Sequence, residues 1–130
     1  MRGVRLMFAL GMALITSGCG FENFQADADK QFGDQHFKTA ITLIETHKLR
    51  FGSYPESLKD MKFTGDWDQI ALTNVDYRKL DVGYELNLTG GWIGKPDLSY
   101  PPEFWKGLGI VKTNVGGFQP AVAPKQAHSR

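Results

Sequence analysis

The period of the apolar residues changes once along this chain, and that change limits what it can fold into. From about Gln31 to Phe51 the spacing is helical. Phe37, Ile41, Ile44 and Phe51 fall near one stripe, widened by Phe32, Ala40 and Leu43. Lys38, Glu45 and Lys48 fall on the flanks or the opposite side. The stop is explicit: Lys48 and Arg50 suit the negative end of the helix dipole, Gly52 suits a left-handed exit, and Pro55 lies just beyond. After the exit the period drops to two. Val75 and Tyr77 alternate with Asp76 and Arg78; Tyr84, Leu86 and Leu88 alternate with Glu85, Asn87 and Thr89. β-Branched and aromatic alternation of this kind reads as strands, and Asp81-Val82-Gly83 supplies the turn of a hairpin. Trp92-Ile93 starts a third strand cut off by Gly94 and Pro96, and Leu108 to Val111 forms a last one. The expected fold is α+β, a long N-terminal helix packed on a small antiparallel sheet.

Between helix and hairpin, Ser53-Tyr54-Pro55-Glu56 fits a capping box, with Pro55 tolerated in a first turn. It predicts a second, short helix from about Tyr54 to Met61, with Leu58 and Met61 facing inward. Phe63 to Gln69 reads as turn-rich. From Gly116 onward almost no large apolar residue remains, so residues 116–130 are expected to be a disordered tail.

The N-terminus carries an address. Arg2 and Arg5 precede an apolar run from Leu6 to Ile15, and Thr16, Ser17 and Gly18 lead into Cys19. A basic start, a short apolar core and small residues describe a secretory signal peptide, and the run is too short to span a bilayer. The segment resembles the bacterial lipoprotein signal, whose lipobox ends in a small residue and then the acylated cysteine. Thr16 departs from it, standing where that family prefers Leu. The resemblance implies cleavage after Gly18 and acyl chains on Cys19, which would make the lipid bilayer a partner. Several chains together anchor stably where one does not. Gly20, with no Asp after the cysteine, implies a periplasm-facing lipoprotein of the outer rather than the inner membrane. The domain scheme is then 1–18 signal, 19–30 tether, 31–115 globular domain and 116–130 tail.

Cys19 is the only cysteine, so no internal disulfide forms. Removing residues 1–18 takes away two basic residues and leaves 13 against 14 acidic. Near-neutral charge without a basic run argues against nucleic acid as a partner. What remains is enough for one small domain.

Residues 40–61, from Ala40-Ile41-Thr42-Leu43-Ile44-Glu45 through Phe51-Gly52-Ser53-Tyr54-Pro55-Glu56-Ser57-Leu58 to Met61, resemble the globular part of type II secretion pseudopilins and type IV pilins. In that family a helix ends at a glycine, a Tyr-Pro turn follows, and an antiparallel sheet packs on the helix. The resemblance implies a pilin-like scaffold. Fibre membership does not carry over, because residues 20–36 are polar where pilins carry a long apolar helix, and Gln25 stands where pilins carry Glu. No catalytic or calcium-binding residue carries over either.

Chemistry-bearing constellations are weak. His36 and His47 are three helical turns apart, roughly 16 Å, and cannot share a metal within one chain; both read as helix-surface residues, and His128 lies in the tail. Asp66 and Asp68 around Trp67 suit a capped turn better than a calcium loop. No Gly-x-Ser-x-Gly elbow or phosphate loop is present. These features predict no enzyme activity, cofactor or metal. Trp92, Tyr100, Phe104 and Trp105 gather among Pro96, Pro101 and Pro102. They are either core, because a small domain has few large residues to fill it, or a binding face. The expected function is a non-catalytic binding or structural module of the cell envelope with a protein partner there, linked to a secretion or pilus-like system. The alternative is an envelope immunity or inhibitor lipoprotein acting on a toxin or hydrolase.

Overall fold

The computed structural model of the protein describes residues 18–120, with side chains from Gly20 onward. The first element, α1 (Gly18–Phe51), is a single 34-residue helix, about 51 Å long. It is already helical at Gly18, well before Gln31, so the segment read as a tether is helical. Its exit is as expected: Gly52 adopts a left-handed φ of 82°.

The link to the hairpin differs from expectation. A 3-10 turn, Leu58–Asp60, replaces the short helix. Its box is formed by Ser57, whose amide donates to Asp60 Oδ2 at 3.1 Å. Glu56 is drawn away to pair with Lys79. The stretch read as turns becomes the helix α2 (Asp66–Thr73). The Gly65 amide donates to Asp68 Oδ2 at 2.8 Å, closing its first turn. Ala71 and Leu72 face the core.

The hairpin forms as expected from β1 (Val75–Lys79) and β2 (Tyr84–Leu88), antiparallel, with Tyr77 opposite Leu86. The third strand, β3 (Ile110–Lys112), pairs with the other edge of β2 in parallel. The sheet is therefore mixed and not purely antiparallel. The long stretch between β2 and β3 permits this, because a parallel pairing needs a dozen or more residues to carry the chain back. Trp92-Ile93 forms no strand: its amides are claimed by a carboxylate of α1, described below. Gly116 bridges Ser99 and Phe118 packs against Trp105, so both belong to the domain. The remainder of the expected tail, from residue 121, lies outside the described residues, as do residues 1–17 of the expected signal.

The core lies between α1 and β2. Phe37, Ala40, Ile41 and Ile44 meet Tyr84, Leu86 and Leu88, with Leu72 and Val75 to one side and Leu98, Trp105, Ile110 and Val115 to the other. Phe51, placed on the stripe by its spacing, is instead exposed and tilts over His47 at 4.7 Å. Glu45 turns inward. Its carboxylate accepts from the Tyr84 hydroxyl at 2.9 Å, the Tyr54 hydroxyl at 3.1 Å and the Gly109 amide at 2.7 Å. One side chain thus ties α1 to the helix exit, to β2 and to the approach to β3. Burial, reinforced by this carboxylate, pushes the Tyr54 phenol up to about 12 and the Tyr84 phenol higher still.

Candidate functional site

The four aromatic residues singled out from sequence do not act as one face. Trp105 is buried on Phe37, at 6.1 Å and edge-on, and Phe118 closes over it at 5.1 Å. Its indole Nε1 has no acceptor among the described residues. Tyr100 stacks between Phe37, at 6.0 Å, and Phe104, at 4.0 Å. Its hydroxyl donates to Asp34 at 2.6 Å, and burial, seconded by Asp34, raises its pKa. Tyr100, Phe104 and Trp105 therefore extend the core across α1. Trp92 alone faces outward.

What holds Trp92 in place is Asp29. This carboxylate is buried against the loop 91–94, and Oδ1 accepts from the amides of Trp92 at 2.9 Å, Ile93 at 2.6 Å and Gly94 at 2.9 Å. The Ile93 hydrogen bond is the largest influence on its pKa and lowers it, with the other two amides adding to the effect and desolvation opposing. Gly91 also donates to the Gly94 carbonyl at 2.7 Å, closing the loop on itself. A side chain on Gly91 would collide with the Asp29 carbonyl, so only glycine lets the loop lie this close to the helix.

The clamped loop forms one wall of a groove of about 790 Å³ between α1 and α2, lined by Phe32, His36, Trp67, Ile70, Asn74 and Trp92 among others. Trp67 and Ile70 are exposed where α2 borders the groove, and Ala71, one turn on from Trp67, is buried beside them. Asn74 fixes the floor: its side-chain amide donates to the Ile70 carbonyl at 2.8 Å, and its own carbonyl accepts from Thr89 at 2.8 Å. His36 is buried rather than on the helix surface. Desolvation lowers its pKa, opposed by a hydrogen bond to the Gly91 backbone. His47 meets the Ser53 carbonyl through Nδ1 at 2.9 Å, at the far end of α1.

The groove offers apolar and aromatic contact with a few polar groups. Asp29 and Glu45, the carboxylates turned inward, are each occupied by three donors, and Asp68 is held by its own helix cap. Among the described residues no three His, Cys, Asp or Glu side chains are grouped to hold a metal ion. Among them also, no helix is long and apolar enough to cross a membrane. The Cys19 side chain and His128 lie outside the described side chains. Compared with protein-family models, curated proteins and solved structures, the chain matches none.

Sequence reasoning missed Asp29, Phe32, Trp67 and Ile70. A signal was present for the first two. Phe21, Phe24, Ala28 and Phe32 repeat at helical spacing, which carries the helix through the segment read as a tether. Asp29 and His36 follow on the flank that turns towards the loop.

Proposed function

We propose that the protein is a lipid-anchored, periplasm-facing module of the bacterial cell envelope, more specifically of the outer membrane, that binds a protein partner and performs no catalysis. The observation that carries this reading is the Trp67 indole left outside a completed core, on a groove that Trp92 borders at one end. Trp67 is 80% exposed and Trp92 48% exposed, and both border the same groove. Exposed tryptophans around a concave apolar surface are the composition of a binding hot spot. The lipobox-like run before Cys19 supports the anchor, and α1 leads directly from it into the groove. The pilin-like scaffold is supported by the helix ending at Gly52, the Tyr54-Pro55 turn and the sheet that follows; the parallel β3 departs from that pattern. Residues 20–36 carry no continuous apolar run where a pilin helix has one, which supports a tethered, non-fibrous role.

The test is capture of an envelope partner by the full-length protein and by two variants. Trp67→Ala lowers capture roughly tenfold or more, the scale of a hot-spot truncation, and leaves the urea midpoint unchanged. Capture equal to wild type by Trp67→Ala, together with loss of capture only in variants that unfold, such as Trp105→Ala, would refute the groove as the binding site.

A further inference from the structure

We infer that the N-terminal end of the domain is a membrane-docking surface, built from Phe21 and Phe24 on α1 and Trp92 and Ile93 on the clamped loop, and that its partner is the bilayer interface; this rests on the tether proposed above. Phe21, Phe24 and Ile93 are 60%, 62% and 64% exposed. Phe21 and Phe24 share a helix face, and the Phe24 ring meets Trp92 edge-on at 6.3 Å. The Phe24–Trp92 contact joins helix and loop because Asp29 draws the loop onto the helix. The carboxylate of Asp29, accepting from three amides, holds the loop in a shape that leaves Trp92 and Ile93 exposed.

The position of the patch selects the occupant. Cys19, the first residue of the processed chain, already lies within α1. No slack separates the anchor from the patch: Phe21 stands about 3 Å and Phe24 about 8 Å along the axis from Cys19. Amphipathic segments seat their apolar side chains about 5–10 Å into the boundary between headgroups and acyl chains. A chain anchored at Cys19 therefore carries this patch to that depth, where tryptophan is enriched and phenylalanine seats with the apolar face. A second copy of the chain is a poorer fit. The exposed parts of the four side chains amount to roughly 400–500 Å², short of the ~800 Å² per partner that a stable interface buries. The flanking exposed charges, Glu22, Asp27 and Asp97 against Lys30 and Lys95, leave a net of only −1, so docking is chiefly apolar and depends little on salt.

The experiment uses the full processed chain, reconstituted in vesicles of equal parts phosphatidylethanolamine and phosphatidylglycerol. With Trp105 buried, the Trp67→Phe protein reports through Trp92. The expected result is loss of most Trp92 emission to a shallow doxyl-lipid quencher and protection from aqueous iodide, both changing little with salt. Phe21→Ser with Phe24→Ser restores iodide access. The acyl state of Cys19 is read by mass on the same sample. Acylated Cys19 with Trp92 open to iodide overturns the docking surface and leaves the tether standing. Quenched Trp92 on a chain with unmodified Cys19 overturns the tether and supports the docking surface. A Trp92 emission shift that follows protein concentration without lipid identifies a second copy as the occupant and overturns the inference.

Discussion

Removing the Glu45 carboxylate strikes the point where helix, helix exit and sheet are joined. In Glu45→Ala, the hydroxyls of Tyr84 and Tyr54 and the Gly109 amide lose their shared acceptor. Tyr84 is fully buried, so its hydroxyl has no route to water. An orphaned buried donor costs about 1–3 kcal/mol, and the two less enclosed donors recover part of theirs through solvent, which places the total near ~3–5 kcal/mol. A domain of this size has only about 5–15 kcal/mol in all. With a urea slope of about 1–2 kcal/mol/M, the midpoint falls by about 1.5–5 M. Tyr84→Phe is the control. It removes one donor and leaves Glu45 two others, so it costs about 1 kcal/mol. The two changes touch one network, and the double variant is less destabilised than the sum of the singles by about 1–2 kcal/mol. Urea unfolding of the four proteins by far-UV circular dichroism measures all three numbers. A Glu45→Ala loss within the ~0.5 kcal/mol of an ordinary surface change, or strict additivity with Tyr84→Phe, refutes the reasoning.

Other consequences are independent of that network. Ile44→Ala empties a fully buried position under β2 and costs about 2–5 kcal/mol in the same assay; an unchanged midpoint would place the stripe elsewhere. Trp105→Ala costs about 3–5 kcal/mol, because the indole is core; a folded, equally stable variant would contradict its placement. The Asp29 clamp responds to acid. Its folded pKa is lowered, so its contribution is complete above the unfolded value of 3.8 and is lost as pH falls through the lower folded value. The amide shifts of Trp92, Ile93 and Gly94 titrate together below 3.8, and a common midpoint at or above that value would count against the clamp.

The parts of the fold legible in the sequence are those governed by local periodicity. The exit at Gly52 and the hairpin of Val75–Lys79 and Tyr84–Leu88 were readable because apolar spacing and turn residues agree there. Elements set by distant partners were not. The direction of β3 depends on the path of residues 89–109, which no local pattern encodes. Trp92-Ile93 carries strand-like residues, yet its amides are taken by Asp29, more than sixty positions away. Glu45 was readable only as a polar residue on a helix flank, because its donors arrive from the sheet and from Gly109. The candidate site divided in the same way. Trp92, Tyr100, Phe104 and Trp105 were visible as a cluster, but a cluster in sequence does not say which members fill the core. Trp67 reads as part of a turn because α2 has Gly65, and not Ser or Thr, at its N-cap, where only the Gly65 amide bonds Asp68.

The most direct test of a tethered envelope module is the mass of the mature N-terminal peptide isolated from membranes of the producing cell. Cleavage between Gly18 and Cys19, with acyl chains carried by Cys19, is the expected result; Cys19→Ala then leaves the protein unprocessed or released. A mature chain with an unmodified Cys19, or one cleaved elsewhere, would contradict it.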